Sequence, residues 1–261
     1  MTVLKRASDE CMIEKDLGFV LRRSNFRDTS VIANIYTLRF GRIAGILKGF
    51  YSGKREFTSP LEVFTLNEFV FYPKKREIWL VSFADLLCDY PILRTDLARS
   101  RAAGFFLNIV ERVMQPWDVN SQVFFLLKES MAALQDYPQT KVLYVFLIKF
   151  LTISGFKPEF NHCIHCRGEL GEDLGFSAAK GGLVCGKCRA KSDDCRSVTG
   201  ETSSSLSYIQ KTDFPQVLRI RPTPACEKEI MYVLRQFIAY HLDIDLSGLN
   251  IESKTWARQY A

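Results

Sequence analysis

Four of the eight cysteines stand in two pairs with the spacing of a metal site. Cys163 and Cys166 form the first pair, Cys185 and Cys188 form the second, and eighteen residues separate the pairs. Two residues between paired cysteines let both thiolates reach one ion, and two such pairs complete the tetrahedral shell that zinc prefers. The spacing therefore predicts one zinc ion. Four thiolates leave no open position for a reactive water, so we expect the ion to be structural.

Other residue types offer little catalytic chemistry. Of the three histidines, His162 directly precedes the first cysteine pair, His165 lies within it, and His241 ends an apolar helical pattern, where a structural role is expected. The sequence contains no G-x-G-x-x-G, G-x-S-x-G or H-E-x-x-H motif, and no His-x-Glu of the kind found in zinc deaminases. These observations favour a binding protein over an enzyme.

Basic residues are concentrated in the N-terminal third. Residues 1–80 contain fourteen Lys and Arg against nine Asp and Glu, whereas the remainder is nearly balanced. Charge of one sign on one domain is typical of polyanion binding, although a solvated basic face is the alternative. The predicted nucleic-acid contacts are Arg22, Arg23, Arg27, Arg39, Arg42, Lys48, Lys54, Arg55, Lys74, Lys75 and Arg76. The aromatic residues beside them that could stack on bases are Phe26, Phe50, Tyr51 and Tyr72.

Short strands are expected to position these cations. Runs that are rich in β-branched residues or alternate in polarity cover residues 17–22, 30–37, 42–48, 61–72 and 78–83. Five short strands suggest a small closed barrel, for which the OB-fold is the simplest choice and an SH3-like barrel the alternative. We predict an OB-fold DNA-binding domain over residues 1–83, with an extension at residues 1–15.

Helical periodicity replaces the strand pattern after residue 85. Helices are expected over residues 97–114, 121–134 and 140–154, and a fourth begins at the Thr223 cap. We therefore predict an α+β multidomain protein whose second domain, residues 84–261, is all-helical and carries a zinc-knuckle insert at residues 160–195. The tract Ser203-Ser204-Ser205 is interpreted as a linker or cap.

Membrane and secretory signals are missing from the sequence. The longest apolar run, residues 142–153, contains Lys149 and is too short to span a bilayer. The N-terminus has no apolar block before a small-residue cleavage site. We predict a cytoplasmic protein without membrane contact, in a compartment where reduced thiols favour metal binding over disulfides.

Several motifs, taken in order, carry a family resemblance. The N-terminal motifs are Gly18-Phe19-Val20-Leu21, Thr37-Leu38-Arg39-Phe40-Gly41-Arg42-Ile43, Lys48-Gly49 and Pro60-Leu61. The C-terminal motifs are Gly155-Phe156, the first cysteine pair, and Gly181-Gly182-Leu183-Val184-Cys185-Gly186-Lys187-Cys188. From residue 17 onward the chain resembles the bacterial RecO family of DNA repair and recombination mediator proteins.

The resemblance implies an N-terminal OB domain and a helical domain that holds a zinc knuckle. It implies a non-catalytic mediator of a RecF-type repair pathway, associated with the nucleoid. Such a protein binds single- and double-stranded DNA, anneals complementary strands and helps load the recombinase onto DNA coated by single-strand binding protein. The implied partners are RecR protein and the C-terminal tail of single-strand binding protein. The alternatives are an RNA-binding OB and zinc protein of translation or ribosome assembly, and a zinc-dependent nucleic-acid-modifying enzyme.

Overall fold

A computed structural model describes residues 13–52, 57–73, 78–190 and 195–246. The chain divides into two compact units, each treated separately below. The first unit contains the N-terminal residues up to Tyr90 together with Met114–Phe124. The second contains Pro91–Val113 and the residues from Phe125 onward. Among the described residues, no helix combines the length and apolar character that crossing a membrane requires.

Five strands build the first unit. They are β1 (Glu14–Phe26), β2 (Ser30–Thr37), β3 (Gly41–Leu47), β4 (Thr65–Tyr72) and β5 (Trp79–Asp89). The strands close into a barrel in the order β1-β2-β3-β5-β4, with β3 and β5 parallel and the other neighbours antiparallel. This order and the closure of β1 on β4 give an OB-like barrel, so the predicted fold is confirmed.

Alternating side chains fill the barrel. In β3 every second residue is buried, and the inward set from all strands includes Val31, Ile35, Phe69 and Val81. β1 pairs first with β4 and then with β2, and its register shifts between Val20 and Arg22. Such a shift bends a strand, and beyond it β1 continues as the exposed half of a hairpin with β2.

Several strand boundaries differ from the prediction, and β1 also continues past residue 22 to Phe26. β1 begins at Glu14, inside the predicted extension, because Glu14 and Lys15 pair with β4. β4 begins at Thr65 and not at residue 61, since the backbone of Leu61 and Phe64 has positive φ. β5 continues past Phe83 to Asp89, because β4 offers it a partner along the whole length.

Four helices follow the barrel strands. They are α1 (Ile92–Thr95), α2 (Leu97–Val113), α3 (Ser121–Asp136) and α4 (Gln139–Ile153). The three longer ones match the expected spans closely. α4 contains a continuous buried run from Val142 to Ile148, which identifies it as a central helix of the second unit.

A small sheet with one short helix follows α4 and contains the second cysteine pair. Its elements are β6 (Leu174–Ser177), β7 (Gly182–Val184), α5 (Gly186–Arg189) and β8 (Arg196–Val198). The strands lie in the order β7-β6-β8, and both neighbouring pairs are antiparallel. These elements lie between the third and fourth long helices, where the insert is predicted, but the sheet itself is not predicted and β8 lies past the predicted end at residue 195.

The chain then returns to helices that pack on α4. They are α6 (Gly200–Lys211), α7 (Phe214–Val217) and α8 (Pro224–Leu242), and α4 contacts both α6 and α8. Thr223 caps α8 as predicted, since its side chain accepts a hydrogen bond from the Cys226 N–H. The linker interpretation of Ser203-Ser204-Ser205 is wrong: the tract lies inside α6. Thr199 caps that helix, and small hydroxyl side chains such as Ser203 are buried in it.

Candidate metal centre and nucleic-acid surface

The four paired cysteines gather at one point. Their Sγ atoms all lie within 4.8 Å of one another, and the Sγ atoms of Cys166 and Cys185 are 3.8 Å apart. A tetrahedral zinc ion with Zn–S distances of ~2.3 Å requires sulfur–sulfur distances of ~3.8 Å. The thiols are therefore positioned to bind one metal ion, and their geometry fits zinc.

The first cysteine pair lies in a tight hydrogen-bonded loop. The Cys163 N–H donates to the Gly168 carbonyl at 2.9 Å, and the Arg167 N–H donates to the Cys163 carbonyl at 2.8 Å. Arg167 adopts φ of 62°, which closes the loop. The Ile164 N–H donates to the Leu183 carbonyl at 2.8 Å and so attaches this loop to β7.

The second pair belongs to the first turn of α5. The N–H groups of Cys188 and Arg189 both donate to the Cys185 carbonyl, at 3.0 Å and 2.9 Å. The guanidinium of Arg189 forms an ion pair with Asp173, next to β6. One cysteine pair is thus held by a loop and the other by a helical turn, and the small sheet joins them.

The environment of the thiols favours a bound cation. Burial opposes ionisation of Cys163, but backbone hydrogen bonds involving Cys166, Cys185 and His165 lower the pKa of its thiol to about 6. Desolvation and hydrogen bonds to the other thiols raise the pKa of Cys188 to about 12. Without a cation, ionisation of one thiol thus opposes ionisation of the rest. A divalent ion removes this conflict, because thiolates are the form that binds metal.

A fifth cysteine borders the metal centre. Cys195 is partly buried and packs against the cluster, but it is not one of the four clustered thiols. This agrees with its position outside the pairs in the sequence.

Several of the predicted cations are exposed near the β1–β2 hairpin. Arg22 and Arg23 lie on the exposed half of β1, and Arg27 lies in the turn that follows. Lys48 is exposed directly after β3. The register pairs Asn25 with Val31 and Val31 with Leu47, so Lys48 lies at the same end of the sheet as Arg27. We call Arg22, Arg23, Arg27 and Lys48 the hairpin cations.

Arg39 and Arg42 have partners inside the first unit. Arg39 is exposed but pairs with Glu14 at 3.1 Å, and its guanidinium lies 5.0 Å from the centre of the Phe40 ring. Arg42 is half-buried, and its Nε–H donates to the Met114 carbonyl at 2.9 Å. Both arginines therefore contribute to the fold as well as to surface charge. Five further predicted cations, Lys54, Arg55, Lys74, Lys75 and Arg76, lie outside the described residues.

The predicted stacking residues differ in accessibility. Phe26 is 37% exposed, and the Arg27 guanidinium lies 5.2 Å from its ring centre. Tyr51 is 50% exposed, and its hydroxyl hydrogen-bonds to the Asn25 Oδ1 at 3.0 Å. Phe50 and Tyr72 are half-buried, and the Phe50 ring packs against the barrel core. Phe26 and Tyr51 are thus the more accessible rings beside the hairpin cations.

The structure also shows an aromatic residue that sequence reasoning missed. Trp117 lies in the segment after α2, far from the barrel strands in sequence, and its N–H donates to the Arg42 carbonyl at 3.0 Å. Its ring packs on Trp79, with ring centres 4.9 Å apart. The only sequence signal was a tryptophan in a polar loop next to Pro116.

Comparison with protein families decides the relationship of the chain. Residues 12–88 match the family model "Recombination protein O N terminal", and residues 94–249 match "Recombination protein O C terminal". The chain belongs to the RecO family. The resemblance inferred from the sequence motifs is therefore confirmed, and the family is one of DNA repair proteins.

Curated relatives cover nearly the whole chain. The DNA repair protein RecO of Alkaliphilus metalliredigens is 26% identical over 246 residues, which are 93% of this chain and 100% of that protein. The protein of the same name from Pelotomaculum thermopropionicum is 27% identical over 231 residues, or 88% of this chain and 90% of that protein. A third, from Halalkalibacterium halodurans, is 22% identical over 249 residues and 95% of either chain.

Proposed function

We propose that this chain is a non-catalytic, DNA-binding mediator of recombinational repair in a RecF-type pathway. It binds single- and double-stranded DNA, anneals complementary strands and helps load a recombinase onto DNA coated by single-strand binding protein. The observation that carries the proposal is the group of exposed hairpin cations on the OB-like barrel of a RecO-family chain.

OB-folds bind nucleic acids through the face of strands 2 and 3 and through the loops between strands 1 and 2 and between strands 4 and 5. Arg27 lies in the first of these loops. The second loop contains Lys74, Lys75 and Arg76 in its sequence. Cations in both places would neutralise phosphates, release counterions and lower the repulsion between two strands. This supports strand annealing without base-specific contacts.

The proposed DNA site keeps all the predicted cations and the two more exposed of the predicted aromatic residues. The hairpin cations and Arg39 are exposed and form its described part. Arg39 and Arg42 lie at the β2–β3 turn and at the start of β3, at the opposite end of these strands from Arg27 and Lys48. The loop cations, outside the described residues, are Lys54, Arg55, Lys74, Lys75 and Arg76. Phe26 and Tyr51 are proposed to stack on bases, since their rings are exposed next to cations.

We propose one structural zinc ion at Cys163, Cys166, Cys185 and Cys188. Four thiolates saturate a tetrahedral ion, so it holds the loop and α5 together and has no open position for substrate. The clustering of four thiols, which would close the shell of such an ion, is the observation that favours a binding function over a zinc-dependent enzyme.

RecR protein and the C-terminal tail of single-strand binding protein are the proposed protein partners, and the bacterial nucleoid is the proposed location. These proposals follow from the family. Co-sedimentation of the purified chain with each protein tests the two partners. A chain that sediments separately from RecR and from single-strand binding protein would contradict these partner proposals.

Annealing of complementary single strands tests the proposed activity. It should be measured at several salt concentrations, with naked strands and with strands coated by single-strand binding protein. We expect faster annealing that persists on coated strands and weakens as salt rises. No acceleration on either substrate contradicts the proposal. A strong preference for RNA over DNA of matched sequence would instead support the RNA-binding alternative.

A further inference from the structure

The first unit carries a cavity on the outer face of strands β2 and β3. Its volume is about 590 Å³, and it opens to solvent. The residues that line it include Asn34, Arg42, Ala44, Ile78, Pro116 and Trp117. The size falls within the range of small-molecule sites, and the lining combines apolar walls with few polar groups, as such sites do. None of the hairpin cations lines this cavity.

The barrel fixes the segment that supplies Trp117. The Trp117 N–H donates a hydrogen bond to the Arg42 carbonyl at 3.0 Å, and the Arg42 Nε–H donates one to the Met114 carbonyl at 2.9 Å. Gly41 has φ of 65°, and a Cβ there would lie only 2.1 Å from the Asp118 carbonyl oxygen. Glycine therefore lets the segment approach β3 closely. The indole is positioned by main-chain contacts as well as by its own packing.

Trp117 itself adopts φ of 67°, in the left-handed region that large side chains rarely occupy. Such a conformation persists only where the surroundings hold it, and it occurs often at ligand sites. Here the surroundings are the hydrogen bond to Arg42 and the contact with Trp79. The result is an indole held half-buried at the cavity wall.

We infer that this cavity binds one base of single-stranded DNA, with Trp117 as the stacking surface. Arg42 supplies positive charge for the adjoining phosphate, while Ala44, Ile78 and Pro116 supply apolar walls for the base. The inference rests on the proposed function, because it requires the barrel to bind single strands. It adds a binding residue that lies outside the five strands.

The chemistry selects single strands over duplexes. In a duplex the base faces are covered by stacking, so an indole in a cavity cannot reach them without unpairing a base. A single strand exposes each base face, and base–aromatic stacking tolerates any sequence. Trp117 should therefore contribute to single-strand affinity and much less to duplex affinity, whereas the hairpin cations serve both.

Substitution of Trp117 tests the inference. Dissociation constants are measured for a single strand and for its duplex with the wild-type protein, Trp117→Ala, Trp117→Phe and the control Phe83→Ala. Phe83 is an aromatic residue on β5, 38% exposed, that does not line the cavity. We expect Trp117→Ala to weaken single-strand binding by about 5- to 150-fold, to change duplex binding less than about twofold and to leave the salt slope unchanged. Trp117→Phe and the control should stay near wild type.

Two further measurements remain informative if Trp117→Ala fails to fold. A strand with abasic sites should bind the wild-type protein more weakly and bind Trp117→Phe equally weakly. Trp79, Trp117 and Trp256 are the three tryptophans of the sequence. In a Trp256→Phe background, which keeps Trp117 and its neighbour Trp79, single strands should quench tryptophan emission and duplexes should not. Equal binding of abasic and normal strands, without quenching, overturns the inference while the proposed function stands. A wild-type protein that binds no single strand overturns the proposed function itself.

Discussion

Four thiols lie within 4.8 Å of one another and are positioned to bind one metal ion. Cys163 and Cys185 are buried, and the pKa of Cys163 is lowered whereas that of Cys188 is raised. In the proposed zinc site, removing one thiol would leave three protein ligands and open the fourth position to water. At the scale of single residues, replacing one of these thiols is therefore expected to affect both metal binding and stability.

Replacement of Cys185 by serine tests the ligand assignment. We expect bound zinc to fall from one ion per chain to nearly none. The melting temperature should fall on the order of 10 °C, because the binding energy of a structural zinc is folding energy. Metal content and thermal unfolding are the measurements.

Cys195→Ser is the matched control for that variant, since Cys195 borders the cluster without belonging to the four thiols. It should keep the zinc and the wild-type melting temperature. If Cys185→Ser retains one zinc ion while Cys195→Ser loses it, the assignment of the fourth ligand is wrong.

At the scale of elements, a carboxylate joins α8 to the start of α6. Glu229 accepts hydrogen bonds from the Thr199 N–H at 3.0 Å and from the hydroxyls of Thr199 and Thr202 at 2.8 Å and 2.7 Å. Burial opposes the charged form, but these bonds lower the pKa of Glu229 below its ordinary value. The folded state therefore favours the carboxylate.

The sign of the pH dependence follows from that shift. Because the pKa of Glu229 is lowered in the folded state, its carboxylate stabilises the protein fully at pH values above its ordinary pKa of 4.5. This stabilisation is lost as the pH falls through the lowered pKa. Glu229→Gln should reduce the free energy of unfolding by about 1 kcal/mol at pH 7, after allowance for solvent screening. Urea unfolding between pH 8 and pH 3 should show this difference shrinking below pH ~4.5. The control is Glu172→Gln at an exposed position. An equal loss of unfolding free energy in this control would contradict a specific role for the Glu229 hydrogen bonds.

Gly41 permits the close approach of the segment around Asp118 to β3. An alanine there has both an unfavourable φ and a clash with the Asp118 carbonyl oxygen at 2.1 Å. Gly171 has nearly the same φ, 66°, but nothing lies within 4 Å of its added Cβ. Gly171→Ala should cost about 1–2 kcal/mol from φ alone, and Gly41→Ala should cost more. Chemical unfolding measures both losses. Equal losses of unfolding free energy in the two variants would show that the segment around Asp118 moves away from β3 at little cost.

Periodicity in the sequence predicted most elements, and local patterns failed where a distant partner decides the structure. β2 matches its predicted span, and α2 ends one residue early, because their alternating or helical patterns are uninterrupted. β5 extends to Asp89 because β4 pairs with it, which no local pattern reveals. The serine tract of α6 resembles a linker or cap in sequence, since serine is a weak helix former, whereas in the structure Thr199 and Glu229 stabilise the start of that helix.

The candidate sites were also only partly predictable from the sequence. Cysteine spacing alone predicted which four thiols lie close together in the structure, because two C-x-x-C pairs at this separation are typical of a zinc site. Trp117 could not be predicted, because its position depends on Gly41 and on the backbone of β3. Sequence patterns report chemistry that is local, and the cavity is built from segments about 70 residues apart, as in the pairing of Arg42 with Met114.

At the scale of the whole molecule, charge is distributed unevenly. The net charge is +6, and residues 1–80 hold fourteen cations against nine anions. The hairpin cations belong to this excess and are exposed. Long-range attraction of a polyanion to the protein should therefore depend on the first unit and be sensitive to salt.

Charge reversal at two hairpin cations tests this distribution. Arg27→Glu with Lys48→Glu changes two exposed residues at one end of the sheet. If each contacts one phosphate, the slope of log affinity against log salt for a single strand should become shallower by about 1.4, at ~0.7 per contact. The control is Lys128→Glu, an exposed cation on α3, which should leave the slope unchanged. An unchanged slope in the double variant would show that Arg27 and Lys48 do not contact phosphate. A loss of slope in the control would show that binding follows net charge and not the barrel surface.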